Sequence, residues 1–181
     1  MDIFEAIKGR RSIRSFKPDP IPDEDLRKIL EAATWAPSAG NLQPWVFVIV
    51  KDEERKRRLA RAALGQMFIT EAPAVIVVGA NEERSAWRYG KRGRELYCLL
   101  DCAAAIQNLL LAAYALGYGT CWVGAFHDEE VREIVGFPPH IRPVAIIPVG
   151  KADEKPMPPP RRPLDEVVFL EEYGKRWKPQ E

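Results

Sequence analysis

Residues 36–45 read Ala36-Pro37-Ser38-Ala39-Gly40-Asn41-Leu42-Gln43-Pro44-Trp45, and this segment is called the Ser38 loop. Its prolines fix φ and its glycine permits unusual backbone geometry, while its serine, asparagine and glutamine side chains both donate and accept hydrogen bonds. An ordinary turn between a helix and a strand would explain the proline, glycine and serine. It does not require an asparagine and a glutamine two residues apart before a tryptophan. We therefore predict that the loop holds a polar group.

The segments around the Ser38 loop predict an α+β fold in a single domain over residues 1–181. Short β-branched runs are typical of buried strands, and apolar residues recur at helical spacing between them. We predict a central mixed β-sheet flanked by helices, with strands near Trp45–Val50, Pro73–Gly79, Thr120–Val123 and Arg142–Val149. Helices are predicted from Asp2 to Gly9, from an Asp23 cap to the Ser38 loop, and over Glu53–Ala63, Glu95–Leu116 and His127–Val135, with Arg84–Arg94 a loop or an irregular helix.

The segment Glu95–Leu116 is apolar on nearly every face. We expect it to be buried all round, either through the domain centre or partly against another subunit. A membrane span is not expected, because Asp101, Gln107 and Asn108 interrupt the segment before an apolar run reaches about 18 residues.

Composition and charge set limits on the class of protein. The chain has 181 residues, 46% of them hydrophobic, and its formal net charge of +1 gives no general field for binding nucleic acid or a membrane. Its three cysteines are an odd number, and the segment from Met1 to Arg11 is amphipathic rather than an apolar leader. These features predict a cytoplasmic protein.

Residues 151–181 differ in composition from the rest of the chain. The proline-rich run from Pro156 to Pro163 favours an extended arm, and apolar residues follow it from Leu164 to Leu170. We predict that this C-terminal arm docks on a sheet edge, adding a strand to the sheet of a partner chain.

Several familiar chemistries are disfavoured. The two histidines, His127 and His140, have no Gly-x-Ser-x-Gly motif to complete a Ser-His-Asp hydrolase. Cys98 and Cys102 are four residues apart on a helix, but no second pair completes a metal site, so packing is the better interpretation. Gly117-Tyr118-Gly119 follows a helix and precedes a strand, the reverse of the order in a Rossmann phosphate loop.

Four blocks of sequence together resemble the nitroreductase-like family of FMN-dependent oxidoreductases. The resemblance extends from Asp2 to Val168, with the blocks in the family's order. The blocks are Arg10-Arg11-Ser12-Ile13-Arg14-Ser15-Phe16, Pro37 to Trp45 of the Ser38 loop, Gly117-Tyr118-Gly119-Thr120-Cys121-Trp122-Val123-Gly124-Ala125-Phe126, and Arg161-Arg162-Pro163-Leu164-Asp165-Glu166-Val167-Val168.

The resemblance implies that FMN is held by arginines at both ends of the chain. Arg10, Arg11, Ser12 and Arg161 would hold the phosphate and ribityl end, because guanidinium groups make charge-assisted hydrogen bonds with a phosphate. Arg14 would lie near the pyrimidine edge of the ring and stabilise negative charge there, which raises the flavin potential.

The remaining site residues implied by the resemblance belong to three loops. The Ser38 loop would reach the cofactor from the other subunit of a homodimer, and the arm would be exchanged between the subunits. Pro37, Ser38, Ala39 and Asn41 would lie near the ribityl phosphate and Gln43 near the ring. The backbone N–H groups of Gly124 and Ala125 would face flavin N5 and O4, and Gln66 would touch the ring.

One departure from the family pattern concerns the phosphate end. Pro159 occupies the position of a second basic residue found in longer members, so Arg11 or Arg162 would take over its role. The chain is also short, which leaves the residues around the substrate undefined.

The activity implied by the resemblance is ping-pong reduction. NADH or NADPH would deliver hydride to flavin N5, and a small acceptor such as a nitroaromatic or a quinone would then be reduced, with no catalytic side chain and no metal. Flavoenzymes of similar sequence also catalyse reductive dehalogenation, flavin fragmentation and heterocycle dehydrogenation, and a non-enzymatic FMN carrier or sensor is a further alternative. A nucleic-acid module using Arg10 to Arg14 is disfavoured by the balanced charge.

Overall fold

The computed structural model describes residues 1–177 as helices packed on both faces of one β-sheet. The helices are α1 (Ile3–Gly9), α2 (Asp23–Thr34), α3 (Glu53–Ala62), α4 (Glu82–Arg92), α5 (Cys98–Ala115), α6 (Asp128–Val135) and α7 (Leu164–Val167). The strands are β1 (Trp45–Val50), β2 (Ala74–Asn81), β3 (Gly119–Thr120) and β4 (Ile141–Gly150). The predicted α+β fold is confirmed.

The four strands lie in the order β1-β2-β4-β3, and each neighbouring pair is antiparallel. Our prediction of a mixed sheet therefore needs correction for these strands. Within residues 1–177 the parallel pairing is a single bridge between Ser12 and Thr120. The reason for the error is that β-branched runs identify strands but carry no information about the direction of their neighbours.

The core consists of one layer on each face of the sheet. Along β2, Ile76 and Val78 face α2 and α5, where Ile29, Ile106 and Leu109 are buried. The alternate residues Val75 and Val77 face the opposite layer, which contains Leu59, Ile69 and Val131. This alternation follows the two-residue period of a strand, and burial on both faces explains why β2 and β4 read as continuous apolar runs.

Two predicted elements differ in their details. Asp23 is the first residue of α2 rather than its cap, and Pro22 occupies the cap position. Strand β3 is shorter than predicted and pairs with β4 over only Gly119 and Thr120. One isolated bridge, from Val123 to Ile146, follows it. In this register Cys121 lies opposite Pro148, which has no N–H to donate, so the ladder is interrupted there.

Helix α5 runs through the domain with one buried side and one exposed side. Its buried side packs on the sheet and on α2. In this single chain the other side is open, with Leu100 57% exposed and Gln107 and Leu116 also exposed, which differs from burial on every face. By length and composition alone, the helical stretch Glu82–Ala115 is long and apolar enough to span a membrane. Its packing against the sheet is that of a core helix.

The predicted C-terminal arm begins by pairing with its own chain. The Lys17 N–H donates to the Lys151 carbonyl and the Asp153 N–H to the Ser15 carbonyl, each at 2.9 Å. After the prolines the chain forms α7 and then a bridge between Phe169 and Arg176. Exchange of the arm with a partner stays a prediction, and residues 178–181 of the predicted arm lie outside the described residues.

Candidate functional site

The predicted phosphate-binding residues near the two ends of the chain, Arg10, Arg11, Ser12 and Arg161, meet in one basic recess. A cavity of about 310 Å³ is lined by Arg10, Arg11, Ser12, Arg14, Pro156, Met157, Pro159 and Arg161. We call it the arginine recess. An apolar cavity of about 520 Å³ adjoins it, because the two share Arg10, Arg11, Pro156 and Met157. The first and fourth blocks of the sequence pattern, about 150 residues apart, therefore come together in space.

Three elements hold the arginine recess in place. Helix α1 ends at Gly9, where a Cβ atom would lie 2.2 Å from the Tyr114 hydroxyl, so any side chain would collide with α5. The following residues run beside β3, and the Ile13 N–H donates to the Thr120 carbonyl at 2.9 Å. The Arg14 N–H donates to the carboxylate of Glu154 in the arm. The recess thus lies where the end of α1, β3 and the start of the arm meet.

The guanidinium groups in the recess are not equivalent. Arg11 donates from Nη1 to the carbonyls of Lys8 at 2.6 Å and Arg10 at 2.8 Å, and so caps the end of α1. Arg161 donates to the carbonyls of Pro159 and Pro160, both at 3.2 Å. The side chains of Arg10 and Arg14 make neither a hydrogen bond nor an ion pair with any part of residues 1–177. Their donors are free for a ligand.

Positive charge dominates the recess, since four arginines and, within residues 1–177, no acidic residue line it, and the Glu154 carboxylate is the acid bound beside it. The pKa of Arg10 is lowered, first by its partial burial and then by the positive charges of Arg11 and Arg161. A lowered pKa of a guanidinium means that its surroundings oppose its charge. An anion in the recess would reverse this effect.

The two arginines predicted to replace the missing basic residue at Pro159 lie in different places. Arg11 lines the recess, whereas Arg162 lies outside its lining and faces Glu166, with 3.5 Å between Nη1 and Oε2. Replacement of the missing residue by either arginine stays a prediction.

The predicted ring-facing turn follows directly after the bridge between Val123 and Ile146. Gly124 and Ala125 are exposed, and their N–H groups have no hydrogen-bond partner in the described part of the chain. Gln66 donates from Nε2 to the carbonyls of Ala63 at 2.9 Å and Ala125 at 3.3 Å. Gln66 and the turn are therefore neighbours in the structure, and their contact with a flavin ring stays a prediction.

The Ser38 loop forms a short turn with unusual backbone angles. Gly40, Asn41 and Gln43 have φ values of 57°, 55° and 50°. The Gln43 N–H donates to Ser38 Oγ at 3.0 Å, and Gln43 Nε2 donates to Asn41 Oδ1 at 3.1 Å. The polar side chains that we predicted to face a ligand thus also hold the loop in a left-handed conformation, which non-glycine residues adopt rarely.

The Ser38 loop and the arginine recess lie at opposite ends of α5. The Ala39 N–H donates to Asp101 in the first turn of α5 at 3.1 Å. The segment that lines the recess lies at the other end of the helix, where Gly9 packs against Tyr114 and the Ile13 N–H donates to Thr120 just beyond α5. Tyr114 is thirteen positions after Asp101, which is about 20 Å along a helix. Within one chain, a single phosphate group cannot contact both. The structure therefore does not bring these two groups of predicted site residues together.

Two residues that support the Ser38 loop were not predicted as site residues. Arg84 donates from Nη1 to the Gln43 carbonyl at 2.7 Å, and Asp101 accepts from Ala39. The available signal was Asp101 itself, since an acid in an apolar helix requires a polar partner. The partner is a backbone amide, which has no signature in the sequence.

Other reactive side chains are structural. Cys98, Cys102 and Cys121 are buried and free, and burial raises the pKa of Cys98 to about 11, so these thiols are inert near neutral pH. No group of three or more His, Cys, Asp and Glu residues suited to a metal ion exists within residues 1–177.

The sequence profile of the Nitroreductase family matches residues 7–71 and 66–151, so the chain belongs to that family and is an oxidoreductase. A relative from Archaeoglobus fulgidus, named provisionally as an NADH dehydrogenase/NAD(P)H nitroreductase, is 41% identical over 159 residues, which is 85% of this chain and 88% of that protein. The NADH dehydrogenase of Thermus thermophilus is 36% identical over 93% of this chain and 96% of its own length. Among solved structures, the NADPH:FMN oxidoreductase of Vibrio harveyi, complexed with NAD⁺, superposes with a TM-score of 0.87 at 30% identity, over 95% of this chain and 78% of that one.

Proposed function

We propose that this protein is an FMN-dependent oxidoreductase that uses NADH or NADPH to reduce a small-molecule acceptor. The observation that carries the proposal is the arginine recess, in which Arg10 and Arg14 have unused guanidinium donors. The names of relatives support the choice of cofactor, since one is an FMN reductase from Bacillus subtilis and another an NADPH:FMN oxidoreductase.

The chemistry of the recess lining supports binding of the phosphate end of FMN. Ser12 adds a hydroxyl to the cationic lining. A phosphate dianion would offset the burial and the positive charges of Arg11 and Arg161 that together lower the pKa of Arg10. Arg10 would make the strongest contact because its guanidinium is free of other partners. Arg11 and Arg161 would contribute charge while remaining fixed to backbone carbonyls.

The flavin ring of FMN would lie along the β3 edge of the sheet, toward the turn at Gly124 and Ala125. The free N–H groups of Gly124 and Ala125 would donate to the ring, and Gln66 beside them would be within reach of it. Arg14 would stabilise negative charge at the pyrimidine edge. When bound, FMN would supply ping-pong hydride transfer at its N5 atom, and these side chains would position it without exchanging protons themselves.

We propose that two copies of the chain share each site. The separation of about 20 Å along α5 within one chain supports this, because the loop of one subunit would reach the recess of the other. Further support comes from apolar side chains left open on adjoining helices, with Phe4 of α1 68% exposed and Leu100 of α5 57% exposed. Strand β1 is an edge strand within residues 1–177, and we propose that it receives the arm of the partner.

The acceptor would be a nitroaromatic or a quinone, and the protein would be cytoplasmic. The alternative reactions are reductive dehalogenation, flavin fragmentation and heterocycle dehydrogenation. Each of them would use FMN bound in the same arginine recess. A carrier or sensor would bind FMN without turnover.

Anaerobic titration of the purified protein is the test of this function. We expect a visible flavin spectrum with stoichiometric FMN, bleaching by NADH or NADPH, and recovery of the oxidised spectrum on adding a quinone or a nitroaromatic. A colourless protein that neither binds nor quenches added FMN would contradict the proposal. Bound FMN that neither nicotinamide reduces would favour the carrier, and an FMN-loaded monomer in sedimentation would contradict the shared site.

A further inference from the structure

Asp101 is a buried carboxyl group with an incomplete set of hydrogen bonds. It lies in the first turn of α5 with 7% of its surface exposed. Oδ1 accepts the Ala39 N–H at 3.1 Å, and Oδ2 is buried with no hydrogen-bond partner in the described part of the chain. Burial raises the pKa of Asp101, and the Ala39 N–H opposes that shift only in part. A carboxyl group at this place is therefore costly for the fold.

The Ala39 N–H that Asp101 accepts lies directly before the left-handed residues of the Ser38 loop. Asn41 and Gln43 both have left-handed backbone angles, which residues other than glycine adopt rarely, Gln more so than Asn. Bonds inside the loop, such as the one from the Gln43 N–H to Ser38, preserve its shape but do not fix its direction. Only a bond to a rigid neighbouring element can fix that direction.

Two side chains supply such bonds from outside. Asp101 fixes the N-terminal side of the loop to α5, and Arg84 on α4 donates to the Gln43 carbonyl at its C-terminal side. Arg84 is exposed and its bond competes with water, whereas the bond of Asp101 is shielded. Asp101 is therefore the stronger of the two supports.

We infer that Asp101 is a positioning residue, which orients the Ser38 loop so that its residues reach the cofactor bound in the partner's arginine recess. This inference rests on the proposed function. It also explains why an acid occupies an otherwise apolar helix, since the backbone N–H of Ala39 requires a short, buried acceptor at that point.

A comparison of FMN affinities in four proteins tests this role. Asp101→Ala removes the acceptor, and we expect the FMN Kd to rise about tenfold. Asp101→Asn keeps an oxygen for the Ala39 N–H, and its Kd should stay within about threefold of the wild-type value. The matched control is Asn108→Ala, because Asn108 on the same helix donates to the Ala32 carbonyl of α2 at 3.1 Å. The control should lower the melting temperature and leave the FMN Kd unchanged.

A variant in the loop itself covers the case in which Asp101→Ala does not fold. Ala39→Pro removes the N–H and keeps Asp101, and Ser38 already has the extended angles, φ −144° and ψ 151°, that precede a proline. We expect a loss of FMN affinity similar to that of Asp101→Ala.

The outcomes separate this inference from the proposed function. Wild-type FMN affinity in Asp101→Ala or Ala39→Pro would overturn the positioning role alone. An equal loss of FMN affinity in Asn108→Ala would also overturn it, because Asp101 would then serve only stability. A wild-type protein that does not bind FMN would overturn the proposed function and this inference with it.

Discussion

Replacement of Arg10 by glutamate is expected to raise the FMN Kd more than a hundredfold. A hydrogen bond to a charged group contributes about 1.5–3 kcal/mol, and the new carboxylate would in addition repel the phosphate. About 2.7 kcal/mol corresponds to a hundredfold change in Kd. Among the arginines assigned to the phosphate, Arg10 should be the most sensitive position, because Arg11 and Arg161 already donate to backbone carbonyls and Arg10 has no other partner within residues 1–177. Quenching of flavin fluorescence during titration measures the change.

The same substitution should not destabilise the FMN-free protein. The pKa of Arg10 is lowered in the folded state, so the fold opposes its charge wherever the side chain is protonated, which includes neutral pH. Its removal should leave the melting temperature of the FMN-free protein unchanged or raise it. Arg55→Glu on α3 changes the net charge equally and lies outside the recess, so it should retain FMN. Full affinity in Arg10→Glu would refute the assignment of the phosphate site.

Gly40→Val should raise the FMN Kd by about tenfold to a hundredfold. A Cβ atom at Gly40 would lie 2.7 Å from the Tyr89 hydroxyl and 2.9 Å from Arg88 Nη1, and a β-branched residue strongly disfavours φ +57°. The Ser38 loop would therefore change its backbone conformation. Since Gly40 is exposed, the core would remain intact.

Gly136→Val is the matched control for this substitution. Gly136 also has a left-handed backbone, φ +71°, but it caps α6 and has no atom within 4 Å of an added Cβ. Both variants should have lower melting temperatures, and only Gly40→Val should lose FMN affinity. An equal effect of the two variants on FMN binding would mean that the loop has no special role in the site.

The sequence predicted the local elements better than their long-range pairing. The apolar run Trp45–Val50 is a strand with the expected bounds. The predicted strand from Thr120 is shorter because it meets Pro148 on a neighbouring strand, which no local pattern indicates. The antiparallel order of the sheet likewise depends on how distant segments pack rather than on any one of them.

The residue types at the candidate site could be predicted from the sequence, because they follow the pattern of a known family. That pattern identifies arginines, but it cannot tell that Arg11 caps α1 while Arg10 remains free, since this depends on which carbonyls lie within reach. The contact between Gln66 and Ala125 joins residues 59 positions apart. The role of Asp101 was missed because its partner is a backbone N–H, and every residue except proline has one.

The central claim is that each site contains the arginine recess of one chain and the Ser38 loop of another. Mixing Arg10→Glu chains with Gly40→Val chains tests it, after refolding or coexpression in equal amounts. Neither variant alone forms a complete site, but half of the dimers would be mixed, and each of these would contain one intact recess beside one intact loop. The account predicts recovery of about a quarter of the wild-type FMN-binding capacity. Absence of recovery, with mixed dimers demonstrated in the sample, would contradict it.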